Sequence, residues 1–339
     1  MNVIVLAGGI SEEKDVSLAS GKAVAGALAR LGYDFSVIDP SSGRSLLDKD
    51  GRYLLEHDED SGSRIAWKKT SMPALARSID SEILRNSDVV FLALHGGHGE
   101  DGTIQALLDL AGIKYTGSGQ LASAVAMNKA FAKRILLNEG ISTPDWILLR
   151  IRKEEDYDLS IKNIKDHFSF PLIIKPNNSG STIGLTLVAK PEDLSLALRR
   201  AAEISGDILA EAYIKGREIT AAVLDGTVLP LVEIIPSNEL YDYQCKYTKG
   251  KSRYICPAEL PANVAAEISR MAGKACEVIG CAGLARVDFM LDMSHHPFFL
   301  EVNTLPGMTE LSLAPMAARE AGIGFDELVM RICQSSLSR

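Results

Sequence analysis

The sequence lacks several features that would have directed its reading elsewhere. No apolar run is long enough to cross a bilayer. The chain opens on MNVIVLAGG, without a basic leader segment or a cleavage site, so a cytoplasmic protein is expected, neither exported nor membrane-bound. Cationic residues are in deficit: 36 Lys and Arg stand against 44 Asp and Glu, a net charge of −8. No basic footprint for nucleic acid results. The five cysteines, at 245, 256, 276, 281 and 333, are odd in number, fall late in the chain and form no CxxC pair. That excludes a disulfide framework and a zinc ribbon, and reduced thiols are expected. Internal repeats and low-complexity segments are also missing.

What remains is an ordinary soluble composition, 46% hydrophobic and 24% charged over 339 residues, long enough for two or three domains. Asn2 to Leu6 reads as a buried strand closed by Gly8-Gly9, and Val16 to Leu31 as a helix ending at Gly32. Phe35 to Ile38 and Asp88 to Leu94 read as further strands, with a helix over Ile104 to Ala111. Strands alternating with helices predict a mostly parallel, doubly wound sheet for residues 1–118. A central region, 119–206, begins with a long helix over Gln120 to Gly140; strands follow at Pro171 to Lys175 and Thr182 to Val188, and a helix starts at Pro191. A third region, 207–339, opens on the strand DILAEAYI and ends in a helix at about 325–337.

The densest chemistry lies in LARVDFMLDMSHHPFFLEVNTLPGMT, residues 284–309. Apolar residues flank Asp288 and Glu301, and Asp292 to Pro297 supplies a turn, so a hairpin is predicted with position 288 opposite 301. Side chains two apart share a strand face, which pairs Glu301 with Asn303 and Arg286 with Asp288. Three oxygen donors on one face suit Mg²⁺, which keeps water and phosphate in the rest of its shell.

Other motifs are weaker singly. Lys175-Pro-Asn-Asn-Ser-Gly-Ser-Thr-Ile-Gly184 could bring backbone N–H groups and a cation to phosphate oxygens, but it lacks the Walker order, and a hairpin loop without a ligand is as common. Glu211 and Glu218, in a linker between lobes, could accept from an adenine amino group and ribose hydroxyls. Lys129 shares its helix with Lys133 and Arg134, so a solvated helix face is its default reading. His95 follows VVFLAL and so falls at the carboxyl end of a parallel strand, where ligands of open sheets bind. His98 could equally be a turn residue. Asp15 and Ser17 read as capping residues of the first helix. Tyr241 to Tyr247 (YDYQCKY) reads as a lid loop or as an amphipathic strand.

Taken in order, GGISEEKDVSL, LALHGGHGEDG, YTGSG, MNK, KPNNSGSTIG, EAYIKGREIT, YDYQCKY, CPA, GLARVDFML and LEVNTLPGMTELSL resemble the D-alanine–D-alanine ligases of the ATP-grasp superfamily. The match spans nearly the whole chain. It implies a three-domain α/β ATP-grasp fold whose first domain is the doubly wound sheet. It implies ATP-dependent joining of two D-alanines through a D-alanyl phosphate for peptidoglycan synthesis, with ATP as co-substrate and two Mg²⁺ or Mn²⁺ ions. A homodimer is implied too.

The resemblance also implies roles. Glu13 would hold the ammonium of the first D-alanine, in a triad with Ser181 and Tyr247, and His95 would lie near its carboxylate. Lys129, Lys175 and Lys246 would contact ATP phosphates, and Glu211 and Glu218 would read adenine and ribose. Arg286 and the Gly307 N–H would stabilise the oxyanion, and Ser312 and Leu313 would receive the second D-alanine. Asp288, Glu301 and Asn303 would hold the metal ions. Tyr247 favours a dipeptide over D-alanyl-D-lactate, whose makers resemble this family but carry phenylalanine there. Lys14 and Thr182 depart from common family residues yet keep charge and hydroxyl. The nearest alternative is an ATP-grasp ligase for another small pair, such as D-alanine with D-serine. A nicotinamide oxidoreductase fits poorly, because AGGISEE lacks the third glycine of GxGxxG. A regulatory module would lack the metal ligands or Arg286, which are present. No function attaches to residues 41–78 and 151–168.

Overall fold

The computed structural model describes residues 1–49, 51–54, 72–180, 182–236 and 252–338. They fall into two compact units, one of Met1–Ser123, Gly280–Ala285 and Thr304–Arg339, the other of Ala124–Ile279 and Arg286–Asn303.

In the first unit the run NVIVL forms the strand Asn2–Leu6, buried almost throughout. Parallel strands flank it on both sides, Asp34–Asp39 and Val89–Leu92. A short antiparallel strand, Arg44–Ser45, closes the edge. Continuous apolar runs of this kind are what a sheet covered on both faces requires. The helix Lys14–Arg30 makes the first crossover. It packs so closely that a Cβ on Gly21 would lie 2.4 Å from the Ala7 Cβ, so only glycine fits there.

Ser17 does not cap that helix. It is fully buried, accepts from the Gly8 N–H at 2.8 Å and donates to the Ala93 carbonyl at 2.7 Å. The hydroxyl thereby ties the ends of two parallel strands together, satisfying backbone groups that the sheet leaves open.

The second unit holds two sheets. In one, the strands run in the order Trp146–Arg150, Asp207–Ala212, Leu172–Pro176, Thr186–Val188, all antiparallel. Asp207–Ala212, expected to open the third region, thus lies in the middle of this sheet. Residues 182–185 form a turn, not the start of a strand; Thr182 and Gly184 take φ of 62° and 73°, which a pleated strand cannot accommodate. The other sheet orders Ser252–Ile255, Val232–Pro236, Gly216–Leu224, Leu284–Asp292 and Pro297–Asn303.

The long helix expected over Gln120 to Gly140 is two helices, Gln120–Met127 and Lys129–Asn138. Asn128 breaks it by leaving the helical region and accepting from the Phe131 N–H at 3.1 Å, as an N-cap does. Asn177 reinforces the break: its amide donates to Asn128 at 2.9 Å and accepts from the Ala130 N–H at 2.9 Å. The first asparagine of the glycine-rich loop is therefore spent on holding a helix start.

Candidate active site

In the first unit the candidate substrate residues collect at the carboxyl ends of the parallel strands and on the turn before the helix Leu313–Glu320. Glu13 precedes the helix Lys14–Arg30 and is only 7% exposed. Gly96, at φ 66°, approaches it so closely that a Cβ there would sit 2.8 Å from Glu13 Oε2; a larger residue would displace the carboxylate. His95 is buried, its Nε2 2.9 Å from Ser20 Oγ. That same oxygen accepts from the Met308 N–H at 3.1 Å, coupling His95 to the turn that carries Gly307. Farther along, Ser312 Oγ accepts from the Thr309 N–H at 3.1 Å and lies 2.8 Å from Thr309 Oγ1. A Cβ on Gly307 would come within 2.9 Å of Ser312 Oγ, so the Gly307 backbone and the Ser312 hydroxyl share one small space. Leu313 is the first residue of the helix that follows.

The second unit contains a cleft of about 380 Å³, lined among others by Lys129, Lys175, Glu211, Glu218, Asp288 and Glu301. Ile173, Ile214, Met290 and Leu300 supply apolar walls. A concave, partly apolar pocket with a few convergent charges is the usual form of a small-molecule site. The hairpin has the expected register: Asp288 opposes Glu301 and Arg286 opposes Asn303. Pairing shifts just after Asp288. Arg286 holds both oxygens of Asp288, through Nε at 2.9 Å and a terminal nitrogen at 2.8 Å, and Thr220 Oγ1 donates to it at 2.6 Å. Lys129 Nζ lies 3.0 Å from Glu301 Oε2 and donates to the Ser179 carbonyl at 2.6 Å. Lys175 Nζ meets Glu211 Oε2 at 2.9 Å.

Among the described residues no three His, Cys, Asp or Glu side chains cluster as a metal group. The expected donors are two carboxylates and one amide, all hard oxygens on neighbouring positions of one hairpin, and this chemistry fits Mg²⁺. Ser181, Lys246 and Tyr247 lie outside the described residues.

Two groups escaped the sequence reading. Lys133, on the helix face read there as solvated for Lys129, is fully buried, its Nζ 3.1 Å from Glu211 Oε1, and Lys129 is buried as well. Ser20 was overlooked as well. A signal existed for it, because Glu13, Ser17 and Ser20 recur at helical spacing and are all buried, a polar stripe facing inward. Glu211 is 2% exposed. Burial by itself would raise its carboxyl, but Lys133 and Lys175 outweigh this and hold it below the ordinary range. Burial pushes the Lys133 ammonium the other way, down to about 8, against the pull of Glu211.

Solved structures share this fold. A D-alanine–D-alanine ligase from Bacillus anthracis, complexed with ATP, superposes with a TM-score of 0.78 at 32% identity, over 100% of this chain and 98% of that one. The VanG D-Ala:D-Ser ligase from Enterococcus faecalis gives 0.78 at 28% identity, over 99% of both chains. The fold is thus of the ATP-grasp class. The family profile described as D-ala D-ala ligase N-terminus matches residues 2–118, and the one described as D-ala D-ala ligase C-terminus matches residues 135–334. The D-alanine–D-alanine ligase of Nitrosomonas europaea is 41% identical over 334 residues, 98% of this chain and 96% of the relative; that of Geobacter sulfurreducens is 40% identical, over 98% and 93%. The chain belongs to the D-alanine–D-alanine ligase family.

Proposed function

We propose that this chain joins two D-alanine molecules into D-alanyl-D-alanine, converting ATP to ADP and phosphate, for peptidoglycan precursor synthesis. The observation that carries the reading is the cleft in which Lys129, Lys175, Glu211, Glu218 and the Asp288–Glu301 pair line one cavity. A carboxylate is a poor acyl donor, since oxide would have to leave. Attack of the first D-alanine's carboxylate oxygen on the γ-phosphorus gives an acyl phosphate and releases ADP. The second D-alanine, as its free amine, then attacks the carbonyl carbon, and phosphate departs with the former carboxylate oxygen.

Residue roles follow the resemblance. Lys129, Lys175 and Lys246 bind the phosphates, Glu211 the adenine and Glu218 the ribose. Asp288, Glu301 and Asn303 would hold two Mg²⁺ or Mn²⁺ ions, which supply charge neutralisation on the phosphate oxygens. Glu13, with Ser181 and Tyr247, holds the first ammonium, and His95 attends its carboxylate. Arg286 and the Gly307 N–H donate to the oxyanion, while Ser312 and Leu313 receive the second D-alanine. Lys246 and Tyr247 close over the acyl phosphate and exclude water.

Residues 1–118, 119–206 and 207–339 act in this reading as a substrate part, a phosphate-loop part and a metal-bearing part. A homodimer and a cytoplasmic location complete the proposal. Among the described residues, no helix is long and apolar enough to cross a membrane.

Phosphate release with ATP and Mg²⁺, measured over D-alanine, D-serine, D-lactate and L-alanine, tests the assignment. D-alanine alone is expected to give fast release and a dipeptide of the matching mass. D-serine outpacing it as second substrate would replace this reading with the D-alanine–D-serine alternative.

A further inference from the structure

The helix that carries Lys129 holds a second lysine to which none of the roles above is given. Lys133 has no exposed side-chain surface, and long cationic side chains are rarely buried unless paired. Its Nζ donates to Thr143 Oγ1 at 2.6 Å and to the Phe299 carbonyl at 3.3 Å. It stands 3.1 Å from Glu211 Oε1, at ion-pair distance though not aligned as a hydrogen bond. Three elements therefore meet on one ammonium: the helix Lys129–Asn138, the strand Asp207–Ala212 and the strand Pro297–Asn303. Thr143 also donates to the Phe299 carbonyl, at 3.1 Å.

The consequence falls on Glu211. Lys175 takes its Oε2 at 2.9 Å, while Oε1 is buried and faces the Lys133 ammonium at 3.1 Å. Glu211 also lines the cleft, so its charge state bears on the ligand that the cleft takes. Charge decides which ligand. An ionised carboxylate only accepts, so it welcomes an amino group and repels a carbonyl. Neutralised, the same group could donate to a carbonyl instead.

We infer that Lys133 is a positioning residue for the nucleotide base, holding Glu211 ionised and in place so that the cleft selects a purine bearing a 6-amino group over one bearing a 6-oxo group. The inference rests on the reading that ATP occupies this cleft with its base at Glu211. Lys133 touches no substrate; it acts through the carboxylate it restrains. Lys175 alone would leave one oxygen of Glu211 buried against apolar residues, where protonation relieves the cost of desolvation.

The test compares ATP with ITP, as kcat/KM for dipeptide synthesis, in the full-length wild type and in Lys133→Met. The wild type is expected to favour ATP strongly. Lys133→Met is expected to lower the ATP-over-ITP ratio by about tenfold or more, the usual worth of a hydrogen bond to a charged group, mainly through KM for ATP. Glu211→Gln is expected to lower it as well. An unchanged ratio in Lys133→Met, whatever its kcat, would make the lysine merely structural and overturn the inference. A wild type with no preference would overturn the base-reading role of Glu211 first, and the two failures are thus told apart. Should Lys133→Met fail to fold, Thr143→Val keeps the ammonium but removes one of its anchors; a ratio unmoved in that variant also overturns the inference.

Discussion

Arg286→Ala is expected to lose dipeptide synthesis by about 10²–10³-fold, the usual cost of removing one preorganised oxyanion donor, while ATP still binds. The guanidinium sits on the strand Leu284–Asp292, opposite Asn303, and grips both oxygens of Asp288. Removing it therefore does two things at once: the oxyanion loses a donor, and Asp288 keeps Thr220 but loses its cation. The two effects separate on titration with Mg²⁺. A loosened Asp288 would be rescued by more metal, whereas a missing oxyanion donor would not. The expected result is a low plateau at every Mg²⁺ concentration, with nucleotide binding by calorimetry close to wild type. Near-normal synthesis by this variant would remove Arg286 from the chemistry.

Asp288→Asn should be more severe. The substitution keeps size and the Thr220 contact but removes a charge from the two carboxylates that oppose each other across the hairpin. Charge stabilisation of a transferring phosphoryl group by bound metal is worth several kcal/mol, and each 1.36 kcal/mol is tenfold in rate. A loss on the order of 10³-fold in rate is expected on that scale. Mn²⁺ binding in the presence of ADP, followed by paramagnetic resonance, gives a readout independent of turnover and is expected to weaken in parallel. Unchanged Mn²⁺ binding would mean that the hairpin is not the metal site.

How much of this was legible in the sequence depended on whether a signal was local. The Asp288–Glu301 register was readable because a short polar turn between two apolar runs fixes a hairpin, and strand alternation then assigns the faces. The parallel sheet of the first unit was readable because NVIVL and VVFL are continuous apolar runs. Lys133 was not readable. Its burial depends on Glu211, about eighty positions on, and a lysine beside an arginine on a helix looks solvated until its distant partner is known. Ser17 misled for a similar reason, since its hydroxyl serves Gly8 and Ala93 instead of its own helix. The break at Asn128 follows the same logic: a helical pattern continues across it, and only the amide of Asn177 reveals why the helix restarts there. Short-range periodicity gave the elements, while the buried polar ties between them had to be seen.

The central claim is that ATP activates a carboxylate of D-alanine as an acyl phosphate before the peptide bond forms. Its most direct test uses D-alanine labelled with ¹⁸O in the carboxylate, with ATP and Mg²⁺, and mass analysis of both products. The account predicts D-alanyl-D-alanine together with phosphate that carries one ¹⁸O taken from the first substrate. Dipeptide formed alongside unlabelled phosphate, or ATP consumed with no dipeptide at all, would contradict it.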